Sequence, residues 1–158
     1  MDLPKIYHFA HKRRVEFAET DMAGVVHFSN ILRYVEAAEH AMRRACETSN
    51  YEIVGSQHLG WPRVEISCRY TKPIHFEEVI ETCLHIDEIR SSGMRFRFWI
   101  FKNDERSSAS VAAYGYMTSV YAAFDRDTNR LSKSVIPNAV RQALEKLQTR
   151  VCGHKGFG

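Results

Sequence analysis

From Asn30 to Thr48 apolar residues recur at helical spacing; beyond Pro62 the period switches to two. In the first stretch Ile31, Tyr34, Val35, Ala38, Ala41, Met42 and Ala45 form one stripe. Arg33, Glu36, Glu39, His40, Arg43, Arg44 and Glu47 cover the rest of the cylinder. This pattern predicts a helix over 30–48 with one buried face. Glu36–His40 and Glu39–Arg43 stand four apart, a spacing for weak ion-pair support on the solvated side. Downstream, Val64, Ile66 and Cys68 alternate with Glu65, Ser67 and Arg69. Val79 to Ile86 alternates again, and so does Met94 to Phe101, with Ser91-Ser92-Gly93 as a hairpin turn between them. One long amphipathic helix followed by consecutive antiparallel strands is an α+β layer arrangement.

The remaining segments are simpler. Residues 1–10 read as a lead-in, and Val15 and Phe17 share one face of a first strand. Residues 49–62 read as an irregular connection ending in Gly60-Trp61-Pro62. Ala109 to Phe124 is rich in small, aromatic and β-branched residues, which predicts a central strand covered on both faces. Asn103-Asp104-Glu105 and Asp125 to Asn129 read as turns, and Pro137 opens a second amphipathic helix through Leu147. Residues 1–150 are expected to form one domain, with 151–158 a disordered tail.

Composition narrows the function classes. No apolar run is long enough to span a bilayer, and the first residues lack a signal-peptide core, so a cytoplasmic location is expected. Cys46, Cys68, Cys83 and Cys152 have no metal-ligand spacing and read as reduced thiols. The net charge of +3 does not call for nucleic acid, although a local basic patch would suit a phosphate-bearing ligand. Neither a phosphate-binding glycine loop, nor a nucleophilic-serine elbow, nor a zinc-hydrolase motif occurs. Phe96, Phe98, Trp99 and Phe101 read as core.

The chemistry concentrates in residues 19–36. A strand runs into the acidic pair Glu19 and Asp21, then the turn Ala23-Gly24, then a helix start with Ser29 or Asn30 as cap. A helix N-terminus offers backbone N–H groups without partners and a partial positive charge. A carboxylate just ahead of it supplies an attacking or water-activating group beside donors for a developing oxyanion. Asp21 could equally serve as a turn or capping residue. Gly24 suits a backbone with positive φ or a close approach by a ligand.

Thr20-Asp21, Gly24-Val25-Val26, Asn30, Tyr34 and Glu36 resemble the signature of the hotdog-fold acyl-CoA thioesterases, in the branch of 4-hydroxybenzoyl-CoA thioesterase and the YbgC-like enzymes. Tyr70-Thr71-Lys72-Pro73 followed by Glu77-Glu78-Val79 resembles that family's second motif, and the likeness extends over roughly residues 10–125. The resemblance implies an antiparallel sheet wrapped around a long central helix. It implies hydrolysis of an acyl-CoA with Asp21 as nucleophile or general base, and the Phe28 N–H as oxyanion donor. Coenzyme A would enter only as part of the substrate, with no metal or other cofactor. The histidine of many YbgC-like enzymes stands one position later, where this chain has Phe28, so the match departs here; His27 is a candidate acid–base as a near-neutral imidazole, and it could instead line the pocket or point outward. Gly24, Asn30 and Glu36 are candidates for substrate binding, with Asn30 read first as the helix cap and Glu36 also as a solvated partner of His40. Arg90, Ser91, Ser92 and Arg95 are candidates for the coenzyme A nucleotide, whose phosphates suit guanidinium groups. A homodimer or homotetramer is implied, with no nucleic-acid partner and no membrane insertion. An acyl-carrier-protein thioesterase and a non-catalytic acyl-CoA-binding hotdog are the alternatives.

Overall fold

A computed structural model describes residues 3–103 and 105–149; the 151–158 tail expected from sequence lies outside them. The elements run β1 (Phe9–Arg14), α1 (Phe28–Ala45), β2 (Tyr51–Val54), β3 (Gln57–Gly60), β4 (Arg63–Tyr70), β5 (Val79–Arg90), β6 (Gly93–Lys102), β7 (Val111–Val120), β8 (Ala122–Asp125), β9 (Arg130–Lys133) and α2 (Asn138–Gln148). Five strands form an antiparallel sheet in the order β1-β5-β6-β7-β4, and four short ones form a second sheet in the order β2-β3-β8-β9. The architecture is the expected α+β hotdog: a long helix held by an antiparallel sheet.

The helical stripe explains why α1 sits there. Ile31, Tyr34, Val35, Ala38 and Met42 are buried against Ile80, Leu84, Ile86, Phe96, Phe98, Ile100 and Met117 from the sheet's inner face. Alternation along β6 sends Trp99 and Phe101 to the opposite face, where they join Tyr7, Cys83 and Val111 in a second apolar cluster. α2 closes the core with Leu144 and Leu147. Gly115 lets β7 pass close to β4, because a Cβ there would fall 1.8 Å from the Ser67 carbonyl oxygen.

Several expectations change. The first strand ends at Arg14; Val15 is buried but Phe17 belongs to a short 3-10 turn and is 75% exposed. α1 starts two residues earlier than expected and ends at Ala45. Glu39 and Arg43 are fully buried rather than solvated, whereas Ala45 is exposed. Residues 49–62 contain the β2–β3 hairpin, which spacing alone concealed because its side chains are mostly exposed. The 109–124 run is two strands in two sheets, broken at Tyr121, whose N–H donates to the Ser92 carbonyl at 2.9 Å. Nor do the strands follow one another as a plain meander: β4 pairs with β7, and β1 takes the place beside β5.

Candidate active site

The loop from Glu19 to His27 is fastened at both ends. Thr20 bridges Val26, Val25 bridges His75, and the Val26 N–H donates to the Ile74 carbonyl at 2.8 Å. Within it, the Asp21 N–H donates to the Val25 carbonyl at 2.8 Å and the Gly24 N–H returns a bond to the Asp21 carbonyl at 3.0 Å. Gly24 has φ +74, and a Cβ there would meet nothing within 4 Å. Conformation therefore calls for glycine here, not crowding by the rest of the chain. The Asp21 carboxylate accepts the Ala23 N–H at 2.8 Å and, more weakly, the Val25 N–H at 3.4 Å, both through Oδ1. Asp21 therefore holds the turn through Oδ1, and these bonds leave Oδ2 unengaged.

Asp21 opens onto a cleft of about 410 Å³ lined by Val25, Val26, Phe28, Ile31, Tyr70 and Ile74, with Thr71, Lys72, Pro73 and Ala112 completing the wall. Phe28 is the first residue of α1, so its N–H is one of the helix's terminal donors. The structure brings an acidic oxygen and a helix N-terminus to one apolar cleft. Asp21 is exposed in the single chain, so this chain by itself does not supply the poor solvation that would make a carboxylate reactive.

His27 rather than Ser29 or Asn30 caps α1: its extended backbone ends the loop, and its Nδ1 accepts the Ser29 N–H at 3.4 Å and lies 2.8 Å from the Ser29 hydroxyl. Its ring packs against that of Phe28 and is exposed. Asn30 is buried and turned backwards, its Nδ2 donating to the Glu19 carbonyl at 2.8 Å. Glu36 stands on the exposed side of α1, 4.0 Å from His40, and does not line the cleft. Arg90, Ser91, Ser92 and Arg95 form the β5–β6 hairpin at the far end of the sheet. The strand from Val79, near the cleft, to Arg90 spans roughly 36 Å. Within one chain these four and Asp21 are not brought together. Arg90 is engaged with Glu88 at 2.8 Å, and the Arg95 guanidinium stacks over Tyr116 at 4.0 Å.

Two residues matter more than sequence reasoning suggested. Tyr70 lines the cleft opposite Phe28, its hydroxyl 3.5 Å from the Phe28 carbonyl. Glu19 joins the loop to the helix: its carboxylate accepts from Arg13 at 2.5 Å, the Tyr34 hydroxyl at 2.9 Å and the Glu16 N–H at 2.8 Å. Its carbonyl accepts from the His27 N–H at 2.9 Å and from Asn30. The available signal was the spacing of Asn30 and Tyr34: four apart, they share one helix face, and both are buried polar groups needing an acceptor.

The class is defined by the fold, a hotdog sheet around one helix, with Asp21 and the first residue of α1 lining one cleft. The chain belongs to the Thioesterase-like superfamily, whose family model matches residues 15–144. A 1,4-dihydroxy-2-naphthoyl-CoA hydrolase from Synechococcus sp. (strain WH7803) is 28% identical over 144 residues, covering 84% of this chain and 86% of that protein. Another of that name, from Prochlorococcus marinus (strain NATL2A), is 33% identical over 104 residues, covering 60% and 66%. Among solved structures, a gentisyl-coenzyme A thioesterase superimposes with a TM-score of 0.69 at 25% identity, covering 85% of this chain and 98% of that one. No helix among the described residues is long and apolar enough to cross a membrane.

Proposed function

We propose that this protein hydrolyses the thioester of an acyl-coenzyme A with an aromatic acyl group. The observation that carries the reading is the Asp21 carboxylate on the same apolar cleft as the N-terminus of α1. Asp21 attacks the carbonyl carbon itself, or takes a proton from a water that does. Either way an acyl–oxygen bond forms, the carbon–sulfur bond breaks and the thiolate of coenzyme A leaves. With direct attack, water then cleaves the acyl-enzyme anhydride. The Phe28 N–H, strengthened by the helix dipole, meets the negative charge gathering on the carbonyl oxygen. Phe28 and Tyr70 give the cleft aromatic walls, and the relatives named above act on aromatic acyl groups. No metal or redox cofactor takes part in this chemistry.

The same reading makes the protein a dimer joined through β4. Both β1 and β4 are terminal strands of the large sheet. β1 carries Lys12, Arg13 and Arg14, which discourage edge-to-edge association, whereas β4 exposes Val64 (59%) and Ile66 (43%). Antiparallel apposition of two β4 edges would set the Tyr70 end of one chain beside the Arg63 end of the other. It would bring the partner's β5–β6 hairpin toward the Asp21 cleft, where Arg90 and Arg95 could meet the nucleotide phosphates, and it would cover the exposed carboxylate.

The test is thiol release from a panel of aryl and straight-chain acyl-CoA esters. Turnover with preference for aryl esters supports the reading. Turnover only when the acyl group rides on a carrier protein would replace the coenzyme A assignment. Absence of turnover with both would remove the hydrolase assignment.

A further inference from the structure

We propose that Glu19 is a positioning residue that sets the separation between the Asp21 carboxylate and the Phe28 N–H; this rests on the thioesterase reading above. Glu19 lies two residues before Asp21 and its side chain is only 17% exposed. Five donors converge on it. Three reach its carboxylate: Arg13 from the end of β1, the Tyr34 hydroxyl from the second turn of α1, and the Glu16 N–H. Two reach its carbonyl: the N–H of the capping residue His27 and the Asn30 side chain in the first turn of α1. The Arg13 guanidinium also lies over the Tyr34 ring, 4.6 Å from its centroid, so the three side chains form one closed cluster. Burial and the neighbouring Glu19 charge raise the Tyr34 hydroxyl pKa well above its ordinary value, so it stays protonated and donates throughout the physiological range.

This arrangement joins the two halves of the site. Asp21 rides on the loop that leaves Glu19, and Phe28 heads the helix that Asn30 and Tyr34 hold against Glu19. Without the carboxylate and its three bonds, the loop would keep its own turn bonds and the two bonds to the Glu19 carbonyl, but would lose the ties to Arg13 and Tyr34 that fix its register against the helix. Transition-state stabilisation depends on that register far more than ground-state binding does.

The experiment compares wild type with Glu19→Ala, Glu19→Gln and Tyr34→Phe by steady-state kinetics on the best acyl-CoA ester, with backbone amide exchange over residues 20–28 in the absence of substrate. Glu19→Ala should lower kcat about 10²-fold with KM nearly unchanged, the size expected when reacting groups shift by about an ångström. Glu19→Gln, which keeps an acceptor for Tyr34 or the Glu16 N–H, should recover part of the loss. In every variant the kcat–pH profile should keep the wild-type shape, because Glu19 moves no proton. Exchange at 20–28 should rise while protection in β5 and β6 holds. If Glu19→Ala does not fold, Tyr34→Phe, which deletes one hydroxyl, carries the same test at smaller amplitude. A kcat within twofold of wild type, or unchanged exchange at 20–28, would overturn the proposal. If wild type turns over no ester, the hydrolase reading fails, and the exchange arm still decides whether Glu19 clamps loop to helix.

Discussion

Glu39 lies buried in the core. Its carboxylate accepts from Arg43 Nε at 3.2 Å and Nη2 at 3.1 Å, and also from Arg63 at the start of β4. Arg43 stacks on Trp61 at 3.9 Å, and Arg63 extends the network to the Ser119 hydroxyl at 2.9 Å. Burial lowers the Arg43 pKa, and Glu39 opposes that shift. Removing the single acid would leave two guanidinium groups facing each other in a largely buried place. Glu39→Ala should therefore cost about 3–5 kcal/mol, read as a lower urea midpoint; an unchanged midpoint would contradict this account. The pair was visible in sequence as an i,i+4 spacing, but its depth was not. Arg63 comes from 24 residues away, and only the fold shows that Glu39 has this second partner. The turn at Asp21 and Gly24 was legible because turn chemistry is local; the side-chain partners of Glu19 were not, because they lie on the strand before it and the helix after it.

At the level of elements, the segment before β1 is tied to β5 by two stacked histidines. The rings of His8 and His85 lie 4.3 Å apart. His8 Nδ1 accepts the Ile86 N–H at 2.9 Å, and His85 Nδ1 lies 2.9 Å from the Ile6 carbonyl. Burial, with His85 beside it, lowers the His8 pKa from 6.5 to about 4, against a small opposing pull from Asp87. Between these values the unfolded chain binds a proton that the folded chain refuses. The contribution of this group is thus full above about pH 6.5, falls as pH drops toward 4 and is constant below. Chemical-denaturation midpoints should decline over that interval, and His8→Leu should flatten the decline; an equal slope in both proteins would contradict it. The two helices and strands β4 to β6 were legible because each has a clear period. The β2–β3 hairpin was hidden by exposure of its side chains, and the β7–β8 break at Tyr121 by an unbroken run of strand-forming residues on both sides of it.

For the molecule as a whole, the β4 edge and the distance from Asp21 to the β5–β6 hairpin point the same way. A site that uses Asp21 and Arg90 on one ligand needs two chains. Ile66→Lys places a charge on the exposed β4 edge; the wild type should sediment as the proposed β4 dimer and the variant as a monomer with lower turnover. A dimer that persists would move the interface elsewhere. Sequence implied association through family resemblance and the hazard of an unpaired edge strand, but no period in a single chain reports which sheet edge meets another copy. The most direct measurement is thiol release from an aryl-CoA ester by wild type and Asp21→Asn, with the fold of both checked by circular dichroism. Asn keeps an acceptor for the Ala23 N–H, so the loop should hold while the nucleophile or base is lost. Turnover that falls by about 10³-fold or more with the fold intact is the predicted result, given the usual size of such losses. Full activity in Asp21→Asn would contradict the account.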